Sequence, residues 1–325
     1  GVEIVFTALD RRGIYDYPDI PQGRSESHFN LGLWNEKRPE RQVAAAILAH
    51  PEHVPPFDEE LNFHFDTVDF QGEKGRTRLE VYYGVPLSGL PDSVRTGGIL
   101  ERGIAVFDST WRPVYRKMAA LPFSADSTVA AGDLAVDQLA LHLSPGRYFL
   151  GVEVRDPRGT LRGAYTREVM VEPYASDGLM LSDIEIAGEV VRDSTVRAKG
   201  GHRVLPMPSK TYRPGQHVTI YYEVYGLSQN EFGQTRYQMD YQISPKKGKP
   251  LAVTILRAVG RLLGIEEKKV VTISYEQVGT EEKEFNYLEI NVSGSDDGRY
   301  ELEVAVTDLN SGEKVAKDVI FYIAK

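Results

Sequence analysis

The chain has 325 residues, with 38 Lys and Arg against 47 Asp and Glu, a formal net charge of −9, and 41% hydrophobic residues. A length of this order suggests two domains that each bury a core, and the apolar content excludes a disordered chain. The acidic surplus argues against nucleic acid as a partner, and the absence of cysteine excludes disulfides, thiolate metal sites and cysteine nucleophiles.

Taken from the start, Gly1-Val2-Glu3 carries neither an initiator Met nor a charged-then-apolar leader, and the first nine residues read as a strand in mid-course. The chain is therefore expected to be part of a longer protein. Residues 40–50, centred on Val43-Ala44-Ala45-Ala46-Ile47-Leu48, read as a short helix. From about residue 61 onward the pattern is that of all-β domains, with short alternating runs such as Leu79-Glu80-Val81-Tyr82-Tyr83-Gly84-Val85 separated by Gly and Pro punctuation. In one such run Tyr237, Met239, Tyr241 and Ile243 share a face, opposite Arg236, Gln238, Asp240 and Gln242, as in a half-buried strand. Between Ile243 and Val270, Leu251, Ile255, Val259 and Leu262/Leu263 recur at helical spacing, with Arg257 and Arg261 one turn apart. This predicts an amphipathic helix over 251–263. The stretch is too short and too charged to span a bilayer, which needs about 20 apolar residues.

An internal repeat organises the chain. Gly146-Arg147-Tyr148-Phe149-Leu150-Gly151-Val152-Glu153-Val154-Arg155-Asp156 recurs as Gly298-Arg299-Tyr300-Glu301-Leu302-Glu303-Val304-Ala305-Val306-Thr307-Asp308, at an offset of 152 throughout. In this pattern Gly closes a turn, the alternating apolar residues face a core, the Tyr pins a corner, and Asp opens the next turn. Immunoglobulin- and fibronectin-like sandwiches use such a penultimate strand. The expected fold class is all-β: two tandem immunoglobulin/fibronectin-like antiparallel β-sandwiches with a short helical insertion in the second. Residues 1–60 form an N-terminal strand and loop segment, 61–173 the first sandwich, and 174–325 the second.

Several stretches resemble the region that follows the namesake motif in bacterial GWxTD-domain proteins, a family of exported proteins. They are Leu143-Ser144-Pro145-Gly146-Arg147-Tyr148, Leu181-Ser182-Asp183-Ile184, Val204-Leu205-Pro206-Met207-Pro208, Ile220-Tyr221-Tyr222-Glu223-Val224-Tyr225-Gly226-Leu227 and Gly298-Arg299-Tyr300. Val5-Phe6-Thr7-Ala8-Leu9-Asp10, with Gly13-Ile14-Tyr15 and Pro18, is similar to the segment just downstream of the signature domain. The Gly-Trp-x-Thr-Asp motif itself does not occur in the sequence. The resemblance implies a periplasmic, outer-membrane-associated or extracellular setting, and it implies no activity.

Residues able to carry chemistry are present without a recognisable constellation. His50-Pro51-Glu52-His53 and His64 could be drawn as metal ligands, but Pro51 breaks the helical face that His-Glu-x-x-His sites need. No Gly-x-Ser-x-Gly elbow or Ser-x-x-Lys set occurs. Asp58-Glu59-Glu60 and Glu281-Glu282 read as solvated acids, and Asp296-Asp297-Gly298 as a turn rather than a calcium loop. Thr96-Gly97-Gly98 precedes no phosphate-loop Lys. No cofactor or metal is implied. The 18 tyrosines include Tyr221, Tyr222 and Tyr225, whose rings on an alternating strand could form a protein interface or stack on sugars. Together with Leu251, Ile255, Arg257, Val259, Arg261 and Leu262 they make the candidate interaction surface.

The reading at this level is a non-catalytic structural or protein-interaction module of the bacterial cell envelope or surface, part of a larger protein or assembly. Its partners would be other envelope proteins or a second copy, with no nucleic acid and no transmembrane segment. A glycan-binding module with Tyr-lined faces is one alternative. An enzyme with a site at the domain junction, near His202 or His64, is another.

Overall fold

Alternating apolar strands with a buried residue at every second position pair into sheets, and two such sheets bury their apolar faces against each other. In a computed structural model of the chain, residues 6–10, 13–15, 59–123, 133–158, 161–174, 178–195, 199–213, 216–245, 254–258, 261–267, 271–292 and 295–324 are described. The helix expected over 40–50 lies outside them. The chain forms two units: Gly1–Asp66 with Leu79–Pro173, and Thr67–Arg78 with Tyr174–Lys325.

The first unit is built on strands β1 (Phe6–Asp10), β2 (Gly13–Tyr15), β3 (Glu59–Glu60), β4 (His64–Gln71), β5 (Thr77–Pro86), β6 (Ile99–Asp108), β7 (Pro113–Pro122), β8 (Leu134–Leu143), β9 (Gly146–Arg155) and β10 (Leu161–Val171). They form two five-stranded sheets, in the orders β2-β1-β8-β5-β4 and β3-β10-β9-β6-β7. A one-turn helix, α1 (Asp92–Arg95), precedes β6. The core takes Leu79, Val81, Tyr83 and Val85 from β5 and Leu150, Val152 and Val154 from β9. The turn end of the β4–β5 hairpin, Thr67–Arg78, groups with the second unit.

The second unit adds β11 (Met180–Leu181), β12 (Glu185–Arg192), β13 (His202–Pro206), β14 (Thr211–Tyr212), β15 (His217–Tyr225), β16 (Thr235–Pro245), β17 (Thr254–Ala258), β18 (Arg261–Glu267), β19 (Val271–Gly279), β20 (Glu284–Asn291), β21 (Gly298–Asp308) and β22 (Lys314–Ile323). Its sheets run β13-β12-β15-β20-β17 and β14-β22-β21-β16-β19-β18, with β11 on β15. Long antiparallel pairs and a short strand in parallel with the last strand of the unit (β3 on β10, β14 on β22) give both units an immunoglobulin-like sandwich plan. Tyr237, Met239, Tyr241 and Ile243 are fully buried, while Arg236 and Gln242 on the other face of β16 are exposed.

The helix expected over 251–263 is replaced by strand. β17 pairs with β20 in one sheet and β18 pairs with β19 in the other. The physical reason is local: Val253, Thr254 and Ile255 are β-branched, and Gly260 would cost a helix about 1 kcal/mol relative to Ala. A sheet edge on either side offers backbone partners that outweigh the weak helical period.

The repeat has the same local structure in both units. The Tyr148 hydroxyl donates to the carbonyl of Ser144 at 2.9 Å, and the Tyr300 hydroxyl to that of Asp296 at 2.7 Å. These are tyrosine corners at equivalent positions. At the far end of each strand Asp156 and Asp308 are buried and organise a turn. The Asp156 carboxylate accepts from the N–H groups of Arg158 and Leu161, and that of Asp308 from those of Ser228 and Asn310. Burial pushes the Asp308 carboxyl up, but the hydrogen bonds from Ser228, Asn310 and Ser311 outweigh it and hold the group below the ordinary Asp range. Tyr148→Phe and Tyr300→Phe are each expected to cost about 0.5–1.5 kcal/mol, one net hydrogen bond, in urea unfolding. An unchanged midpoint for both would show that the corners are geometrically present but energetically idle.

Candidate functional site

Strand β15 is buried at eight of its nine positions, on both faces. Val218, Ile220, Tyr222 and Val224 point into the core of the second unit. There the Tyr222 and Tyr241 hydroxyls hydrogen-bond at 2.7 Å and join the two sheets, and burial pushes both phenols well above the ordinary Tyr range. The opposite face carries Thr219, Tyr221, Glu223 and Tyr225, which is where the hairpin Thr67–Arg78 packs.

That packing is organised by one carboxylate. Glu223 is fully buried and accepts from Arg78 Nη2 at 2.8 Å, Lys283 Nζ at 2.7 Å, the Tyr221 hydroxyl at 3.2 Å and the Tyr225 hydroxyl at 3.0 Å. Two cations and two phenols on one carboxylate replace the water that burial removes. The Arg78 guanidinium lies over the Phe70 ring at 4.7 Å, and Phe70 contacts Tyr221 with centroids 5.9 Å apart. Beside them Lys199 pairs with the fully buried Glu185 at 2.5 Å, its ammonium 5.1 Å from the Phe70 ring and 5.4 Å from the Tyr221 ring. Lys199 thus closes the cluster with a cation on two aromatic faces.

The rest of the hairpin is tied by its backbone. The Gln71 N–H donates to the Tyr225 hydroxyl oxygen at 2.9 Å, and the Asp69 N–H to the Asp183 carboxylate at 3.0 Å. Asp183 returns its own N–H to the Asp69 carbonyl at 3.1 Å, and Lys317 bonds the Asp183 carboxylate at 2.7 Å. Burial, with the adjacent Glu223 charge adding to it, pushes the Tyr225 phenol far above its ordinary range, so it remains a donor. The arrangement clamps strands together, and it leaves Glu223 engaged with four donors on one unit.

A second buried ion pair lies in the first unit. Arg102 on β6 and Asp137 on β8, both within 2% of full burial, join its two sheets through Arg102 Nε and Asp137 Oδ2. The guanidinium sits 5.5 Å from the Tyr83 ring. Burial raises the Asp137 carboxyl above the ordinary Asp range, partly offset by the Arg102 charge and hydrogen bond. Tyr115, beside the pair, is pushed up to about 12 by burial.

Among the described residues, those expected to form an interaction surface are not brought together. Tyr221, Tyr222 and Tyr225 are buried rather than exposed, because the core takes one face of β15 and the hairpin takes the other. This also removes the Tyr-lined face on which sugar stacking was expected. Leu251 and Val259 lie outside the described residues. Ile255 and Arg257 fall on β17, and Arg261 and Leu262 on β18, in different sheets. Arg261 and Leu262 are exposed, and Arg261 reaches the Glu276 carboxylate at 3.3 Å. Among the histidines, the His202 ring lies tilted against that of Tyr287, with centroids 5.4 Å apart, and His217 Nδ1 meets Glu289 at 2.9 Å. Among the described residues no group of three or more His, Asp or Glu side chains is placed to hold a metal ion. No described helix is long and apolar enough to cross a membrane.

Glu223, Arg78, Lys199 and Glu185 form no motif in the sequence. The one local signal is the isolated charge within Ile220-Tyr221-Tyr222-Glu223-Val224-Tyr225, an acid where a strand otherwise offers only apolar and aromatic surface.

No protein-family model matches the chain, and no curated protein matches it. Among solved structures, the chain is similar to the C-terminal domain of the antigen I/II-family protein AspA of Streptococcus pyogenes, at 11% identity and a TM-score of 0.24, over 81% of this chain and 99% of that one. It is also similar to the major pilin SpaD of Corynebacterium diphtheriae, at 7% identity and a TM-score of 0.24, over 69% of this chain and 59% of that one. A third is the elastase-activated alpha-2-macroglobulin of Escherichia coli, at 6% identity and a TM-score of 0.23, over 82% of this chain and 22% of that one.

Proposed function

We propose that the chain is a non-catalytic structural module of the bacterial cell envelope or cell surface, one section of a larger protein or assembly. The observation that carries this reading is the Glu223 cluster: the charged side chains with the most unusual environments are engaged in holding strands, through Arg78, Lys283 and the two phenols. Arg102–Asp137 plays the same part in the first unit. Buried, multiply hydrogen-bonded ion pairs suit a scaffold that must keep one arrangement of strands, because breaking them costs far more than an exposed pair.

The placement in the envelope rests on the resemblance to GWxTD-domain proteins, carried by the strand motifs around Tyr148, Tyr222 and Tyr300. Fractionation of source cells, with detection by antibody and crosslinking in place, tests it. The protein is expected in the envelope or extracellular fraction, crosslinked to other envelope proteins. Recovery in the cytosol overturns the placement, and turnover of a substrate that is lost with a point substitution overturns the non-catalytic role.

A further inference from the structure

Three turns and the strand end leading into one of them present apolar side chains to solvent at one end of the second unit. The turns join β15 to β16, β19 to β20 and β21 to β22. Phe232 is 78% exposed, and Val278 and Leu309 are 52% and 42% exposed. Backbone pairing brings these turns together: Val278 is in register with Arg236, whose carbonyl accepts the Leu309 N–H at 2.8 Å. The turns are also laced rigidly. Asn310 Nδ2 donates to the carbonyls of Ser228 at 2.7 Å and Gln234 at 2.9 Å, and Asn230 Oδ1 accepts from the Phe232 and Gln234 N–H groups. Gln229 Nε2 reaches the Thr280 carbonyl at 2.7 Å. A large aromatic held out on pre-organised turns loses little entropy on docking. Around it stand the exposed acids Glu231, Glu281 and Glu282.

The first unit carries the complementary surface. Among the described residues β7 is the last strand of its sheet, and the run 111–122 holds Arg112, Arg116 and Lys117 and contains no Asp or Glu. Arg112 and Arg116 are exposed, as is Val114 at 40%. Pro113 and Pro122 bound the strand and oppose addition of another strand there, so contact with this edge is made through side chains.

We propose that the acidic, Phe232-bearing tip of one copy docks on the basic β7 edge of a second copy. The surfaces are different on the two partners, so the contact is heterologous and runs head to tail, each copy offering one surface of each kind. It rests on the reading of the protein as a structural module and names a partner for it, the same chain. A loop tip on a strand edge is a small interface, so association is expected on the order of 10–100 μM and weaker at high salt.

Sedimentation velocity of the full chain over a concentration series tests this. The wild type is expected to self-associate as concentration rises, with association weakened at least about tenfold by Phe232→Ser or by Glu231→Lys with Glu281→Lys and Glu282→Lys. The decisive arm mixes two association-dead variants, the tip variant Phe232→Ser and the edge variant Arg112→Glu with Arg116→Glu and Lys117→Glu. Each copy then keeps one competent surface, so the mixture is expected to give a heterodimer and no longer species. Circular dichroism checks that each variant is folded, and Phe232→Ala serves in place of the serine if it is not. A wild type that stays monomeric at about millimolar concentration overturns the proposal, as does association that survives in both variants. Neither result bears on the envelope location, which cell fractionation reads independently.

Discussion

Glu223→Ala is expected to remove about 3–5 kcal/mol from the stability of the second unit, the cost of leaving buried charges without their partner. The Arg78 side chain is 8% exposed and its guanidinium sits on Phe70, so once Glu223 is gone it can regain water only if the hairpin leaves. Lys283, whose side chain is 33% exposed, can swing out at little cost, so the penalty falls mainly on Arg78. Hydrogen exchange is the measurement that separates this from a general loss: amides of residues 69–78 should lose protection first and most. Trp111 belongs to the first unit, so its fluorescence, read in a Trp34→Phe background, should report an almost unchanged transition. Pairing Glu223→Leu with Arg78→Met should recover most of the loss, because an apolar pair of similar volume avoids the desolvation altogether. A single-variant loss below about 1 kcal/mol would show that the cluster does not hold the hairpin.

Arg102→Ala in the first unit is expected to cost a similar amount, about 3–5 kcal/mol, and here tryptophan fluorescence is the direct readout. The variant leaves Asp137 as a buried carboxyl without its counter-charge and removes the guanidinium over Tyr83. It also changes how stability depends on pH. The folded Asp137 carboxyl already lies above the ordinary Asp range because burial dominates, and losing Arg102 raises it further. For a group whose folded pKa is raised, stability is highest below the unfolded value and falls as pH rises through the folded one. The deficit should therefore be largest at neutral pH and narrow as the pH is lowered toward 5. An equal deficit at both pH values would show that the loss is one of packing rather than of charge.

The sandwich plan was legible in the sequence because it rests on local patterns. The G-x-Y-x-L-x-V-x-V-x-D strand implies its corner, since the Tyr148 and Tyr300 hydroxyls bond carbonyls only four residues upstream. The buried face of β16 follows from alternation alone, as Tyr237, Met239, Tyr241 and Ile243 show. Two things were not legible. The helical spacing over 251–263 competed with β-branched residues and glycines, and the sheet edges that decided the outcome are formed by residues far away in the chain. Tyr221 and Tyr225 lie on the non-core face of β15, as alternation implies, but what covers that face comes from residues 67–78. The Arg102–Asp137 pair has the same character. Each charge occupies a core-facing position in an otherwise apolar alternation, visible singly in the sequence, yet nothing local says that the two meet.

The hairpin has a consequence for synthesis. Arg78 and Glu223 are separated by 145 residues, so a ribosome working at about 5–20 residues per second makes the acceptor roughly 7–30 s after the hairpin. Through that interval the nascent segment must neither aggregate nor commit to a wrong neighbour. Its sequence is suited to waiting: Asp69, Glu73, Lys74, Arg76 and Arg78 flank the single aromatic Phe70, and Gly72 and Gly75 interrupt the run. Charges placed this densely act as gatekeepers against β-aggregation. The residues that later fasten the hairpin thus first keep it soluble during translation.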